Sequence, residues 1–165
     1  MIEVRPAELR DLEGIVELYN HYVLHTPITF DIEPFTAAAR RAWFDQFGPT
    51  GRYRLLTAVE ADRVVGYAAS LPYRPKRAYE TSIETSVYCA ADRTSRGLGT
   101  RLYTTLFEAV RGEDVHRALA GITLPNPTSV ALHERFGFVK VGHYTEQGRK
   151  LGRYWDVAWF EKPMP

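Results

Sequence analysis

The first third of the chain changes from a period of two to a period near 3.6. Ile2 and Val4 alternate with charged residues, which predicts a short strand. From 12 to 23 the apolar residues recur three or four positions apart, the pattern of an amphipathic helix. Thr36 can cap a second helix, which we expect to run through Phe47 with its aromatic side chains facing inward. The order of elements therefore begins as strand, helix, helix.

The middle of the chain is rich in residues that favour strands. Two such runs, 53–59 and 63–71, flank a polar turn and predict an antiparallel hairpin. A third strand is expected over 81–89, because its residues separate into two alternating sets. Glu84 falls in the middle of this strand, on its more polar face.

The second half alternates helices with strands. Apolar residues at near-helical spacing predict a helix from 97 to 112, and a strand follows over 118–124. A helix over 127–136 and two closing strands, 138–141 and 154–160, complete the chain. We expect a polar, basic, glycine-rich loop between the closing strands. The whole pattern predicts a mixed α/β (α+β) fold.

Composition narrows the class of protein. The chain is 45% hydrophobic and 25% charged, as in ordinary globular domains, and residues 1–165 are expected to form one domain. Lys and Arg number 21 against 20 Asp and Glu, so no strong field is available to bind nucleic acid or a membrane. Cys89 is the only cysteine, which excludes an intrachain disulfide and a multi-thiolate metal site. Because no long apolar run follows the N-terminus, we expect a cytoplasmic protein. We also expect that the protein requires no metal.

The strongest chemical signal is the sequence Arg-Thr-Ser-Arg-Gly-Leu-Gly-Thr over residues 93–100, between a predicted strand and a predicted helix. Glycines let the backbone approach a ligand, and the amides at a helix N-terminus bind phosphate. A structural turn explains the glycine pair about as well. No Lys-Ser or Lys-Thr follows the glycines, which excludes a Walker loop, and the third glycine of a dinucleotide site is missing. The expected ligand is a different phosphate-bearing cofactor.

Several motifs resemble those of a known enzyme family. The Arg-Gly-Leu-Gly loop at 96–99 is similar to the acetyl-CoA motif of the GNAT superfamily of N-acetyltransferases, and so is Asn126 opening a helix that closes in Gly137-Phe138. Further motifs resemble the phosphinothricin N-acetyltransferase branch: Thr29-Phe30, Glu33-Pro34, Ala78-Tyr79, residues 83–88, Leu124-Pro125-Asn126 and Leu132-His133-Glu134. The resemblance covers nearly the entire chain.

The resemblance implies a GNAT acyl-CoA N-acyltransferase fold. Its central sheet would be mostly antiparallel and twisted, flanked by helices, with a splayed pair of strands that admits the pantetheine arm of acetyl-CoA. The implied reaction moves an acetyl group from acetyl-CoA to the primary amine of a small amino-acid-like substrate, of the phosphinothricin, methionine sulfoximine or methionine sulfone type. Transfer would be direct, within a ternary complex, and the protein would form a homodimer.

Two residues are candidates for catalysis. An amine attacks a thioester only when neutral, so a base must accept its proton. Glu84 is the candidate base, with a carboxylate that merely orders the strand as the alternative. His133 occupies the family's catalytic position and could act as a second base, orient the substrate or protonate the departing thiolate. A packed or solvated histidine is the alternative there.

The remaining site residues also follow from the resemblance. The cofactor would contact Val87, Tyr88, Cys89, Ser95, Arg96, Gly97, Leu98, Gly99, Thr100 and Asn126. A simple helix cap is the alternative role of Asn126, and Cys89 is not expected to act as a nucleophile. The amine substrate would contact Phe30, Tyr73, Arg74, Lys76 and Tyr79. Arg149, Lys150 or Arg153 could add charge for a carboxylate, phosphinate or sulfone, although such cations are often only solvated.

Two other functions remain open at the level of sequence. A protein or peptide amine acetyltransferase would share the cofactor motifs but needs an open groove. A non-catalytic acyl-CoA-binding regulatory module is the second, because Thr94 stands where the family loop usually begins with Gln or Arg. Glu84 and His133 favour the enzyme with a small-molecule substrate.

Overall fold

The computed structural model describes residues 1–94 and 97–165. Across these residues, seven strands form one sheet in the order β1-β2-β3-β4-β5-β7-β6. The strands are β1 Glu3–Pro6, β2 Leu55–Glu60, β3 Arg63–Pro72, β4 Ser82–Cys89, β5 Arg117–Leu124, β6 Val139–Lys150 and β7 Arg153–Pro163. The helices are α1 Leu12–His25, α2 Ala37–Phe44, α3 Leu98–Ala109 and α4 Pro127–Arg135. The predicted mixed α/β fold with a mostly antiparallel sheet is confirmed, since only β4 and β5 run parallel.

Two clusters of buried side chains hold the helices on the sheet. In the first, the apolar stripes of α1 and α3 pack against β2 and β3, with Leu102 and Leu106 fully buried. In the second, Phe138 and Phe160 pack with Ile83 and the small residues of β5. The helical spacing of apolar residues in the sequence thus identified the faces of α1 and α3 that are buried against the sheet.

The second helix is shorter than the sequence predicted. Thr36 caps it as expected by accepting a hydrogen bond from the Ala39 N–H, but the helix ends at Phe44 and not at Phe47. The Phe47 N–H bonds to the Phe44 carbonyl, three residues back, at 3.2 Å. The chain therefore tightens into turns after Phe44, and Phe47 packs against the core from outside the helix.

The glycine-rich segment predicted as a loop is mostly strand, which corrects the sequence analysis. β6 extends to Lys150 and pairs with β7 from Arg153 onward. Leu151 and Gly152 both have positive φ, 53° and 75°, as a tight hairpin turn requires. The apolar alternation that marks a strand is missing because nearly every residue of β6 is exposed, so backbone pairing with β7 decides its conformation.

β4 and β5 separate partway along their length. They pair in parallel only from Ser82 to Glu84, opposite 117–119. Beyond Glu84, β4 continues along β3 to Cys89 and β5 continues along β7 to Leu124. The sheet therefore opens directly after Glu84, as the family resemblance implied.

Candidate active site

Three adjoining cavities occupy the region where β4 and β5 separate. The first, which we name the aromatic cavity, has a volume of about 550 Å³. A slot of about 100 Å³ lies between the two strands, and a groove of about 510 Å³ extends to the first turns of α3 and α4. Ile28 and Tyr88 line all three. The cavities therefore form one continuous path.

Most of the residues predicted to contact the cofactor line the groove. They are Val87, Tyr88, Cys89, Gly97, Gly99, Thr100 and Asn126. The Leu98 side chain packs into the hydrophobic core instead and is 3% exposed. Ser95 and Arg96 lie outside the described residues.

The groove suits a phosphate-bearing cofactor with an extended arm. Gly97 precedes α3 with a φ of 77°, a conformation that favours glycine. The first N–H groups of α3 have no acceptor within the helix and can bind an anion. Arg135 adds positive charge to the groove wall. Arg93 also lines the groove, but its guanidinium is paired with Glu60 and Asp92. Beyond Glu84 the β4 backbone has no β5 partner, so its polar groups are available to an amide-containing arm.

Asn126 acts as the predicted helix cap and also faces the groove. Its side-chain oxygen accepts a hydrogen bond from the Ser129 N–H at 3.2 Å, and Pro127 occupies the first position of α4. The same residue lines both the slot and the groove. Capping and a place at the groove wall are therefore compatible.

Glu84 lies at the junction of the aromatic cavity and the slot. Burial raises the pKa of its carboxyl group, and the positive charge of Arg74 partly offsets this effect. Among the described residues, no side chain or backbone N–H donates a hydrogen bond to the Glu84 carboxylate. Glu84 is thus a half-buried carboxylate whose oxygens face the cavities, with a pKa shifted toward the range useful for a base.

His133 is buried, and both of its ring nitrogens have protein partners. Nδ1 lies 2.7 Å from the Ser129 carbonyl oxygen, which can only accept a hydrogen bond, so Nδ1 carries a proton. Nε2 lies 2.9 Å from the Tyr103 hydroxyl and accepts its proton in the neutral imidazole. Burial lowers the pKa of His133. His133 and its hydrogen-bond partner Tyr103 therefore both line the slot.

Cys89 has the properties of an unreactive thiol. It is half-buried, and burial raises the pKa of the thiol to about 11. Little thiolate exists at neutral pH under these conditions. Its side chain is therefore poorly suited to covalent catalysis.

Of the residues predicted to bind the substrate, only Phe30 lines the aromatic cavity. The Tyr73 ring packs edge-on behind the cavity residue Trp159 at 6.0 Å. Tyr79 packs on Tyr73 and remains 43% exposed. Arg74 stacks over Tyr73, 4.9 Å from the ring centroid. Lys76 is exposed and lines none of the three cavities.

The loop over 28–31 is tied down by residues from two other elements. The Lys150 ammonium is buried and donates hydrogen bonds to the Thr29 carbonyl at 2.7 Å and the Tyr22 carbonyl at 3.4 Å. The Tyr19 hydroxyl contacts Thr29 Oγ1 at 2.7 Å and donates to Asp31. Lys150 therefore holds the loop that carries Ile28 and Phe30. Its ammonium group binds backbone carbonyls and does not line the aromatic cavity.

The other late cations also lie away from the cavities. Arg149 stacks on Tyr154, and Arg153 stacks on Trp155 at 4.1 Å from the ring centroid. Trp155 donates its indole N–H to the Lys150 carbonyl. Their side chains support the β6–β7 hairpin.

Most residues in the wall of the aromatic cavity were not predicted from the sequence. Its further residues include Tyr19, Arg40, Trp43, Tyr67, Gly121, Gln147 and Trp159. They come from two helices and four strands. The sequence around each of these residues is that of an ordinary core or surface position. One local feature could have indicated that Arg40 belongs to the cavity wall. Arg40 lies in a segment rich in aromatic residues, and an arginine in such a segment can stack on their rings.

Two properties of the described residues bear on other functions. None of the helices within residues 1–94 and 97–165 is long and apolar enough to span a membrane. The same residues contain no group of three or more His, Cys, Asp or Glu side chains arranged to hold a metal ion.

Comparisons with known proteins identify the family of this chain. The profile of the acetyltransferase (GNAT) domain matches residues 4–159. The phosphinothricin N-acetyltransferase of Streptomyces coelicolor is 54% identical over 165 residues, which is 99% of this chain and 96% of that protein. The L-methionine sulfoximine/L-methionine sulfone acetyltransferase of Pseudomonas aeruginosa is 34% identical over 158 residues, 96% of this chain and 92% of that protein.

A solved structure shares the fold over nearly all of this chain. The phosphinothricin acetyltransferase of Sinorhizobium meliloti, in complex with AcCoA, matches with a TM-score of 0.90 and 29% identity, covering 99% of this chain and 88% of that one. The GNAT fold and the family that the sequence motifs resembled are thus confirmed. The opened sheet, the groove at the start of α3 and the sequence relatives together establish that the chain belongs to the acetyltransferase (GNAT) family.

Proposed function

We propose that this GNAT protein transfers an acetyl group from acetyl-CoA to the primary amine of a small amino-acid-like substrate. The phosphinothricin and methionine sulfoximine or sulfone acetyltransferases among its relatives support that substrate class. The observation that carries the proposal is Glu84, whose carboxylate stands without a protein partner among the described residues where the sheet opens. A catalytic base must reach the amine nitrogen that loses the proton, and Glu84 lines both the aromatic cavity and the slot.

The shape of the aromatic cavity favours a small molecule over a protein. Its volume of about 550 Å³ falls within the usual range for small-ligand pockets. Aromatic side chains form much of its wall, including Tyr19, Trp43, Tyr67 and Trp159. The loop that carries Phe30 is anchored by Lys150.

In the proposed reaction, the amine attacks the thioester carbonyl carbon of acetyl-CoA directly within a ternary complex. The new C–N bond forms as the C–S bond breaks, and CoA leaves as a thiolate that takes up the second proton lost by the attacking nitrogen. Glu84 accepts the proton that the ammonium group must lose before attack. The aromatic cavity holds the amine in place and excludes water, which supplies much of the acceleration. Unpaired N–H groups of β4 beyond Glu84 are suited to stabilise the developing oxyanion.

His133 serves as a positioning residue in this scheme. Its two hydrogen bonds, to Ser129 and Tyr103, use both ring nitrogens. Burial also lowers its pKa, which disfavours the protonated form needed to donate a proton. We assign it to holding the Tyr103 hydroxyl at the wall of the slot.

The test is release of free thiol from acetyl-CoA by the purified protein. Phosphinothricin, methionine sulfoximine and methionine sulfone are expected to support turnover, while a panel of peptides with free amines is not. Turnover on the peptides alone would favour a protein acetyltransferase. Acetyl-CoA binding without turnover of any amine would favour a regulatory module.

We also propose that the protein forms a homodimer in the cytoplasm. β6 is an edge strand, and its apolar side chains Val139, Val141 and Tyr144 are 59%, 53% and 54% exposed. Exposed apolar groups along a sheet edge are typical of an interface.

Light scattering should give twice the chain mass of 18.8 kDa, and Val141→Lys should lower the measured mass. A monomeric mass for the unaltered protein would contradict the dimer. Fractionation of cells that express the protein checks the location.

A further inference from the structure

Arg40 on α2 occupies an unusual place in the wall of the aromatic cavity. Its guanidinium lies over the rings of Tyr19, Phe35 and Trp43, at 4.8, 4.6 and 4.3 Å from their centroids. The side chain is half-buried and lines the cavity. Stacking fixes the plane of the guanidinium but uses none of its five N–H donors.

Those donors have no acceptor among the described residues. The neighbouring Arg41 provides a contrast, because its Nε pairs with Asp45 at 2.8 Å on the protein surface. No carboxylate of the described residues lies within ion-pair distance of Arg40. No fully buried side-chain nitrogen of the described residues lacks a partner, so the unpaired Arg40 nitrogens are accessible, and Arg40 lines the aromatic cavity. A stacked guanidinium with free N–H groups is well prepared to bind an oxyanion.

The position of Arg40 relative to Glu84 identifies the part of the substrate it meets. The amine must reach Glu84, and in an amino acid the carboxylate is attached to the same carbon as the amine. Glu84 and Tyr88 lie four residues apart on one face of β4. Arg40 stacks on Tyr19, and the Tyr19 ring packs edge-on against Tyr88 with 5.3 Å between the ring centroids. Arg40 stands farther along the cavity, where the end of the substrate's side chain would lie.

We propose that Arg40 binds the oxygen-bearing group at the end of the substrate's side chain, with an anionic phosphinate bound more tightly than a neutral sulfone. This inference rests on the proposed function and adds a residue that selects among amino-acid substrates. Two N–H groups of one guanidinium match two oxygens on phosphorus or sulfur. A thioether, which offers no such oxygens, gains nothing from Arg40.

The experiment compares kcat/KM for phosphinothricin, methionine sulfone and methionine in the unaltered protein, Arg40→Gln, Arg40→Lys and the control Arg41→Gln. These acceptors share the amine and the carboxylate and differ at the end of the side chain. Arg40→Gln should lower kcat/KM about 30-fold or more for phosphinothricin, less for methionine sulfone and hardly at all for methionine. Arg40→Lys should restore part of the phosphinothricin activity, because it keeps the charge. Arg41→Gln should leave all three values unchanged.

The outcomes separate this inference from the function on which it rests. Equal losses on all three acceptors would overturn it, because Arg40 would then serve the amine end or the fold. Unchanged kcat/KM for phosphinothricin in Arg40→Gln would overturn it as well. If the unaltered protein acetylates none of the three but acetylates other amines, the proposed function fails and the inference falls with it. Thermal unfolding and acetyl-CoA affinity of Arg40→Gln, both expected to stay near those of the unaltered protein, show whether the variant is folded.

Discussion

Glu84→Gln is expected to lower kcat for acetyl transfer about 100-fold or more, the usual contribution of a general base. Glutamine keeps the size and polarity of the side chain but cannot accept the proton of the attacking ammonium. Because Glu84 lies at the junction of the aromatic cavity and the slot, the affinity for acetyl-CoA in the groove should change little. Thiol release and equilibrium binding of acetyl-CoA measure the two effects separately.

The pH profile supplies a second readout for Glu84. Burial raises the pKa of its carboxyl group, against the smaller opposing effect of Arg74. Only the ionised form can act as a base, so activity should fall as the pH falls through this raised pKa. The acid limb should therefore lie above the ordinary range for glutamate, and it should disappear from the residual activity of Glu84→Gln.

Stability measurements can exclude unfolding as the cause of the loss. A carboxyl group with a raised pKa in the folded state favours folding in its protonated form, and this contribution is lost as the pH rises through the folded pKa. Replacing it with neutral glutamine should leave the Tm unchanged or higher near pH 8, with a smaller difference near pH 4. Glu108→Gln, at an exposed position of α3, is the control and should keep full activity. Full activity in Glu84→Gln would contradict the role of base.

Gly148→Ala should raise KM for the amine substrate by about tenfold. A Cβ at Gly148 would lie 2.7 Å from Cζ of Phe30, closer than any normal contact. The flexible partner in this clash is the Phe30 side chain, so the ring is expected to move while β6 keeps its pairing. Phe30 lines the aromatic cavity, and its displacement changes the space available to the substrate. Steady-state kinetics at saturating acetyl-CoA measure the effect.

A second glycine of β6 provides the matched control. At Gly142, the nearest atom to an added Cβ is Cβ of Trp159 at 3.9 Å, an ordinary contact, so Gly142→Ala should leave KM unchanged. The effect of Gly148→Ala should also vanish in a background that carries Phe30→Ala, because the clashing ring is then absent. A KM that rises equally in both backgrounds would mean that Gly148 acts independently of Phe30.

Features that depend on neighbouring residues were well predicted from the sequence. The stripes of α1 and α3, the Thr36 and Asn126 caps and the strand that carries Glu84 all use local periodicity or a side chain that bonds to the backbone three residues away. Such patterns persist whatever the rest of the chain does. They sufficed for the fold class and the position of Glu84 in mid-strand, whereas the family was identified by the resemblance of motifs such as residues 96–99.

Features that depend on distant residues needed the structure. β6 has too few buried residues to mark it as a strand, and only pairing with β7 makes it one. Arg40, Tyr67 and Trp159 come from three different elements, so their meeting in one cavity has no local signature. Lys150 was a candidate to bind the anionic group of the substrate, with a solvated cation as the alternative. Its hydrogen bonds to the carbonyls of Tyr22 and Thr29 instead place it under the loop that carries Phe30.

The sequence by itself determined that this chain folds as a mixed α/β protein with a glycine-rich loop before α3 and a carboxylate in the strand that precedes it. Only the tertiary structure decided that β4 and β5 separate directly after Glu84, and that the carboxylate therefore faces a cavity and not a neighbouring strand. The physical reason is that periodicity reports which side of an element is buried, whereas the partners of that element, and the gaps between them, depend on packing across the whole chain.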